Sequence, residues 1–273
     1  MLRKYWKLRE SPFRGTLDWR RFFRSPVHEE ALARLHFLVE QRRRLGLLLG
    51  PAGCGKSLVL DIFARRLRRG GAQVVNVNLL GTNLHEFLWL MAAELGLNPD
   101  RHDDPFRLWR DVLDRLAENR YQQLDTVLLL DDADDAPAVV SDHIVRLAQT
   151  ENISGGRLTI VLAAAATPPA NSAVRLSPRL LELAELRIDL EAWEPADTAQ
   201  YVNETLAQAG SMSPIFTNEA LDRLHELTAG IPRRIDQLAN LALLAGAGRQ
   251  LAQIDVDTVD SVYQELGAVD AVA

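Results

Sequence analysis

Residues 50–57 read Gly-Pro-Ala-Gly-Cys-Gly-Lys-Ser, a complete G-x-x-x-x-G-K-[ST] pattern. Few sequence patterns specify a ligand so directly. Its glycines let successive backbone N–H groups curl around a pyrophosphate without Cβ clashes, and the spacing sends Lys56 to the β/γ-phosphates and the Ser57 hydroxyl to Mg²⁺. The flanks agree. Leu45 to Leu49 is a short apolar run predicted to be a buried strand, and Leu58 to Leu67 carries apolar residues at helical spacing. Arg65, Arg66, Arg68 and Arg69 occupy the remaining face of that helix. The loop therefore opens a helix, whose N-terminus favours an anion. The stretch expected against a nucleotide is Gly50, Pro51, Ala52, Gly53, Cys54, Gly55, Lys56, Ser57 and Leu58.

A second stretch turns the loop into a site. Residues 126–132 read Thr-Val-Leu-Leu-Leu-Asp-Asp, an apolar strand ending in two carboxylates. Strands buried on both faces of a parallel sheet read as continuous apolar runs, and ligands of open α/β sheets gather at their carboxyl ends. Asp131 is the expected Mg²⁺ carboxylate, and Asp132 the group that orients and polarises an attacking water. Asp134 and Asp135 read as a solvated turn or helix cap before Pro137.

Working outward, Met1 to Trp19 reads as an irregular lead, followed by a helix from Pro26 to Gln41. Further strands are predicted at Val74 to Leu79, Leu158 to Ala164 and Leu186 to Leu190. Helices are predicted from the Asn83–Glu86 capping box to Leu95, over Asp103 to Glu118, and near Val139 to Gln149. Strands alternating with helices imply a five-stranded parallel sheet covered on both faces. After Glu194-Pro195 only helices follow: Ala196 to Ala209, Asn218 to Thr228, Pro232 to Leu244 and Val256 to Leu266. The expected division is a basic lead and helix at 1–44, an α/β nucleotide-binding domain at 45–194 and a small helical lid at 195–273.

Bulk properties narrow the setting. The 273 residues are 47% hydrophobic and 25% charged, the balance of a soluble globular chain. Ile160 to Ala166, as long as any apolar stretch in the chain, is too short to cross a bilayer. The basic start lacks the apolar core of a signal peptide, so a cytoplasmic location is expected. One cysteine, Cys54, excludes an internal disulfide, and its place in a variable slot of the loop suggests packing. Net charge is −6, yet arginines crowd the region before Gly70. That polarity suits nucleic acid, an acidic protein, subunit packing or simply a solvated face.

These residues resemble the AAA+ ATPases of the ExeA type, the general secretion pathway protein A group, over nearly the whole chain. The resemblance rests on Tyr5-Trp-Lys-Leu-Arg-Glu-Ser-Pro-Phe13 and Ser25 to Leu35, on Tyr201 with Leu206-Ala-Gln-Ala-Gly210, on Phe216-Thr217, and above all on Thr228-Ala-Gly-Ile-Pro-Arg-Arg-Ile235. It implies that Arg233 is the sensor 2 arginine, reaching from the lid to the γ-phosphate of bound ATP. A cation at a helix N-terminus is otherwise unfavourable, which agrees with a functional reason for it. The resemblance also implies an arginine offered in trans by a neighbouring copy or partner protein. Arg175, Arg179 and Arg187 are available, and Arg187 aligns best. Asn78 is a candidate for holding Asp132 away from water until a partner binds.

Two departures stand out. The family usually has Glu where this chain has Asp132, one methylene shorter, and a displacement of about 1 Å can cost on the order of 100-fold in rate. The fourth strand ends in Ala163 to Ala166, where a polar sensor 1 group is usual, with Thr167 the nearest polar residue. No membrane span follows the helical part, so no secretion role is implied. The expected function is an AAA+ ATPase that binds Mg²⁺-ATP between the α/β domain and the lid. A nucleotide switch with negligible turnover, or a DNA-associated regulator of the transposition type contacting DNA through the basic N-terminal region, are the alternatives.

Overall fold

The computed structural model describes residues 2–13, 19–150, 157–166 and 176–270. From the N-terminus come α1 (Leu2–Tyr5), α2 (Pro26–Glu40), β1 (Leu45–Gly50), α3 (Lys56–Arg69), β2 (Gln73–Asn78), α4 (Leu84–Glu94) and α5 (Pro105–Tyr121). Then follow β3 (Thr126–Asp131), α6 (Ala138–Thr150), β4 (Leu158–Ala165), α7 (Pro178–Leu183) and β5 (Leu186–Asp189). The chain ends in α8 (Pro195–Gln208), α9 (Asn218–Thr228), α10 (Pro232–Arg249) and α11 (Val256–Asp270). It divides into two compact units: Pro26–Ala52 with Lys56–Leu190, and Met1–Ser25, Gly53–Gly55 and Glu191–Ala273.

The first unit is the expected parallel sheet, in the order β2-β3-β4-β1-β5. All four pairings are parallel, with Leu47 opposite Leu162 and Val77 opposite Leu130. Every residue of β1 and β3 is buried, which is why both read as unbroken apolar runs. One face is covered by α4, α5, α6 and α7, whose Phe87, Met91, Val112 and Ile144 meet Leu47, Val77, Leu128 and Leu162. The other is packed by α2 and α3. A fully buried leucine contributes about 2 kcal/mol, so the sheet interior dominates this unit's stability. Several elements differ from expectation, among them α1 (Leu2–Tyr5), a helix inside the lead read as irregular. Helix α5 runs three residues further, to Tyr121, and α7 appears where no helix was read. A helix as short as α7 spans too few turns to establish a period.

The second unit has a core of its own, in which Val202, Leu206, Leu221, Ile235, Leu238 and Val259 come from α8 to α11. The lead is part of it. Leu8 and Phe13 are buried in the same cluster, and the Trp6 indole donates to the Leu243 carbonyl at 2.9 Å. The Tyr5 hydroxyl donates to the Leu251 carbonyl at 2.7 Å, and the Arg9 N–H to the Ala209 carbonyl at 2.7 Å. Helix α10 continues to Arg249, five residues past the expected end, because its glycines do not stop it: Gly246 lies buried against Trp6 and Ile254.

Candidate functional site

The loop 50–57 joins β1 to α3, as its flanks required. Helix α3 begins at Lys56, so its first N–H groups have no intrahelical acceptor and face the loop. Gly53 and Gly55 have φ of +86° and +102°, values that side chains other than glycine rarely adopt. Lys56 is only 7% exposed, and its Nζ donates to the carbonyls of Gly50 at 2.9 Å and Pro51 at 3.1 Å. Two of the three ammonium donors are thus engaged, leaving one for a phosphate oxygen. Cys54 is buried, a packing residue within the loop.

Asp131 closes β3 and is 6% exposed. The Asp132 N–H donates to its Oδ1 at 3.0 Å, and the Ser57 hydroxyl lies beside the carboxylate. Burial pushes the Asp131 carboxyl above the ordinary range; the nearby Ser57 hydroxyl opposes this, and the Asp132 charge adds to it. A desolvated carboxylate against a serine hydroxyl is an oxygen donor set that suits Mg²⁺, which takes one or two protein ligands plus phosphates and waters. Among the described residues no cluster of three His, Cys, Asp or Glu side chains could hold a metal by itself.

Asp132 sits in the left-handed region at φ 51°, ψ 44°, a conformation that Asp tolerates better than most residues. There its Oδ2 accepts from Asn78 Nδ2 at 2.8 Å. Asn78 Oδ1 in turn accepts the Leu80 N–H at 2.8 Å, so one amide ties the Asp132 carboxylate to the turn after β2.

The alanine end of β4 is anchored by its neighbours. Ala165 N–H donates to Asp134 Oδ1 at 3.0 Å, and Ala166 N–H to the Gly50 carbonyl at 3.0 Å. Asp134, in the turn after β3 where a turn or cap residue was expected, thus also accepts from the end of β4, a role the sequence did not reveal. The available signal was an acid two residues past the site beside a strand lacking a polar end. Thr167 and Arg175 lie outside the described residues.

Arg187 is not gathered into this constellation. It stands on the edge strand β5 with Nε on Asp189 Oδ1 at 2.9 Å and on Oδ2 at 3.0 Å. Arg179, in the first turn of α7, is exposed and makes no ion pair among the described residues. Arg233 opens α10; its N–H donates to the Gly53 carbonyl at 3.2 Å, and a Cβ placed on Gly53 would lie 2.9 Å from its own Cβ. Its guanidinium is exposed and without a hydrogen bond among the described residues.

Residues 39–167 match the family described as an AAA domain. The chain is 30% identical over 255 residues to General secretion pathway protein A of Aeromonas hydrophila, an alignment covering 91% of this chain and 45% of that protein. The chain thus spans about half the length of that relative. Solved structures with this fold include Drosophila ORC bound to DNA, with a TM-score of 0.71 at 16% identity, covering 97% of this chain and 65% of the other. The Aeropyrum pernix ORC2 protein in its ADPNP-ADP complexes gives 0.61 at 15% identity, covering 86% and 66%. Residues 39–167 thus match an AAA domain, and the chain is similar to the ExeA group of P-loop AAA+ proteins.

Proposed function

We propose that this chain binds ATP with Mg²⁺ and hydrolyses it to move its helical unit or a partner. The observation that supports this most is that the loop and the strand end, far apart in sequence, bring Ser57 beside the buried Asp131 carboxylate, next to the buried Lys56 ammonium. Glycine backbone N–H groups and Lys56 would hold the triphosphate, and Ser57 with Asp131 would hold Mg²⁺. The ion, when bound, supplies charge neutralisation at the phosphates. Asp132 would orient the attacking water and accept its proton at Oδ1, the oxygen left over from the Asn78 bond. Arg233 would present its exposed guanidinium to the terminal phosphate, since guanidinium geometry matches phosphate. Arg179, exposed where Arg187 is tied to Asp189, is the better arginine to offer a neighbouring copy.

Titration calorimetry with Mg²⁺-ATP tests the binding half. Lys56→Ala should weaken ATP by about 100-fold or more, because a desolvated ammonium no longer bonds a phosphate oxygen. Undiminished binding by that variant would remove the reading. Phosphate release, with Asp132→Asn as control, tests the hydrolytic half, and its dependence on protein concentration tests the arginine in trans.

A second reading, a switch with negligible turnover, is favoured by the Asn78 bond and the short reach of Asp132. Tight ATP binding without steady-state phosphate release would select it. Nucleic acid as partner is suggested by the fold shared with Drosophila ORC, which is bound to DNA, and by the basic lead. There Arg3, Lys4, Lys7 and Arg9 are exposed on a segment whose Leu8 is buried. Reversing Lys4 and Lys7 to Glu should then weaken DNA retention and flatten its salt dependence by about one unit for each phosphate no longer engaged.

A further inference from the structure

We infer that Tyr201 is a positioning residue for Arg233: by donating its hydroxyl to Asp236 it fixes the first turns of α10, and with them the arginine seated on Gly53. The inference rests on the proposed role of Arg233 toward a phosphate and adds the group that makes that role possible.

Helix α10 starts under unfavourable terms. Its N-cap is Ile231, with no side-chain cap bond, and Arg233 and Arg234 place two cations where the helix field favours anions. Such a turn frays unless something holds it. One tie is the Arg233 N–H on the Gly53 carbonyl. Another is Tyr201, on α8, whose hydroxyl donates to Oδ1 of Asp236, one turn beyond Arg233 on the same helix. The phenol is itself held rigidly. Its ring centroid lies 4.8 Å from that of Trp193, 5.4 Å from Phe23 and 6.3 Å from Phe13, so aromatic rings from the lead and from the start of the helical part clasp it. Burial and the Asp236 charge keep it a protonated donor far above the ordinary tyrosine range. Trp193 adds a bond from its own N–H to the Gly230 carbonyl at 3.0 Å, just before α10.

The test measures ATP and ADP affinities by calorimetry for wild type, Tyr201→Phe, Arg233→Ala and the double variant. Phe keeps the ring in its aromatic clasp and removes only the hydroxyl. Arg233→Ala should weaken ATP by about 10- to 100-fold and ADP little. Tyr201→Phe should weaken ATP by about 5-fold with ADP unchanged, and should add nothing in the Arg233→Ala background. Asp236→Asn, which retains an oxygen acceptor, should behave as wild type, whereas Asp236→Ala should reproduce Tyr201→Phe. This pair decides the matter if Tyr201→Phe fails to fold. Equal losses for ATP and ADP, a further loss in the double variant, or wild-type affinity in Tyr201→Phe would each overturn the inference while leaving the Arg233 reading intact. Unchanged ATP affinity in Arg233→Ala would remove that reading, and this one with it.

Discussion

In the α/β unit each strand can be recognised from its own six or so residues, whereas the core of the helical unit is shared between the first thirteen residues and the last eighty. Leu128 is buried in a strand whose neighbours in sequence are buried too. Phe13, only 3% exposed, shares a core with Leu206 and Ile235, about two hundred positions away. The contrast has a physical origin. A parallel sheet covered on both faces needs only apolar runs, because the ladder supplies the partners. A small helical bundle has little surface per helix to bury, and here it completes its core by recruiting the lead. The basic N-terminal segment is therefore part of a folded unit, and deleting it would test folding before it tested any partner.

One substitution decides whether that difference is energetic as well as topological. Phe13→Ala should cost about 3–5 kcal/mol, as much as truncating an aromatic in a conventional core. The measurement is denaturant unfolding followed by tryptophan fluorescence, since Trp6 and Trp193 report on the helical unit and Trp89 and Trp109 on the sheet. A cost under about 1 kcal/mol would make the lead an adjunct and leave the two units alike.

Gly230 probes the helical unit at a second point. It follows Ala229, and the two have positive φ, 67° and 51° respectively. A Cβ on Gly230 would stand 2.2 Å from the Trp193 carbonyl oxygen, a backbone atom that cannot rotate away. Gly230→Ala should cost about 2–4 kcal/mol, confined to the helical unit. Near-neutral stability would mean that the Trp193 to Gly230 junction is loose.

What could be read in advance follows the same line. The loop, the Asp131 strand and the five-stranded parallel sheet were legible because each is a contiguous pattern with one physical reading. The extent of α10 was not, since the helix was expected to end at Leu244 and the packing of Gly246 against Trp6, far away in sequence, carries it on to Arg249. Asp134 was not, because its acceptor role depends on the end of a strand about thirty positions on. Nor was the contrast between Arg179 and Arg187, which turns on Asp189 lying two residues along the same strand face. Local patterns reveal elements; the bonds between distant elements need the fold.

Asp131 should show stability and function opposed at one residue of the α/β unit. Its carboxyl is raised by burial, so its contribution to folding is present in full below the unfolded carboxylate range and is lost as pH rises through the folded value. In metal-free protein, Asp131→Asn should therefore gain on the order of 1 kcal/mol at neutral pH, and the gain should fade in acid. The same variant should lose the Mg²⁺ dependence of ATP affinity. In wild type that dependence should weaken as pH falls toward the raised value, because the ion needs the ionised form. A variant less stable than wild type at neutral pH would contradict the desolvation account.

The smallest effect belongs to the turn between α2 and β1, where it meets the residue before β5. Burial alone would raise the Glu185 carboxyl, but the Arg44 N–H at 3.2 Å and the Arg43 and Arg44 side chains at 3.3 Å outweigh it and hold it low. A depressed carboxyl stabilises the fold above the unfolded range and loses that contribution as pH falls through the folded value. All three partners are partly exposed, so screening leaves Glu185→Gln a cost of at most about 1 kcal/mol at neutral pH. The deficit should disappear in acid and shrink with added salt. If it instead matched the Phe13→Ala loss, charge rather than apolar burial would be holding this end of the sheet, and the contrast between the units would have to be redrawn around ion pairs.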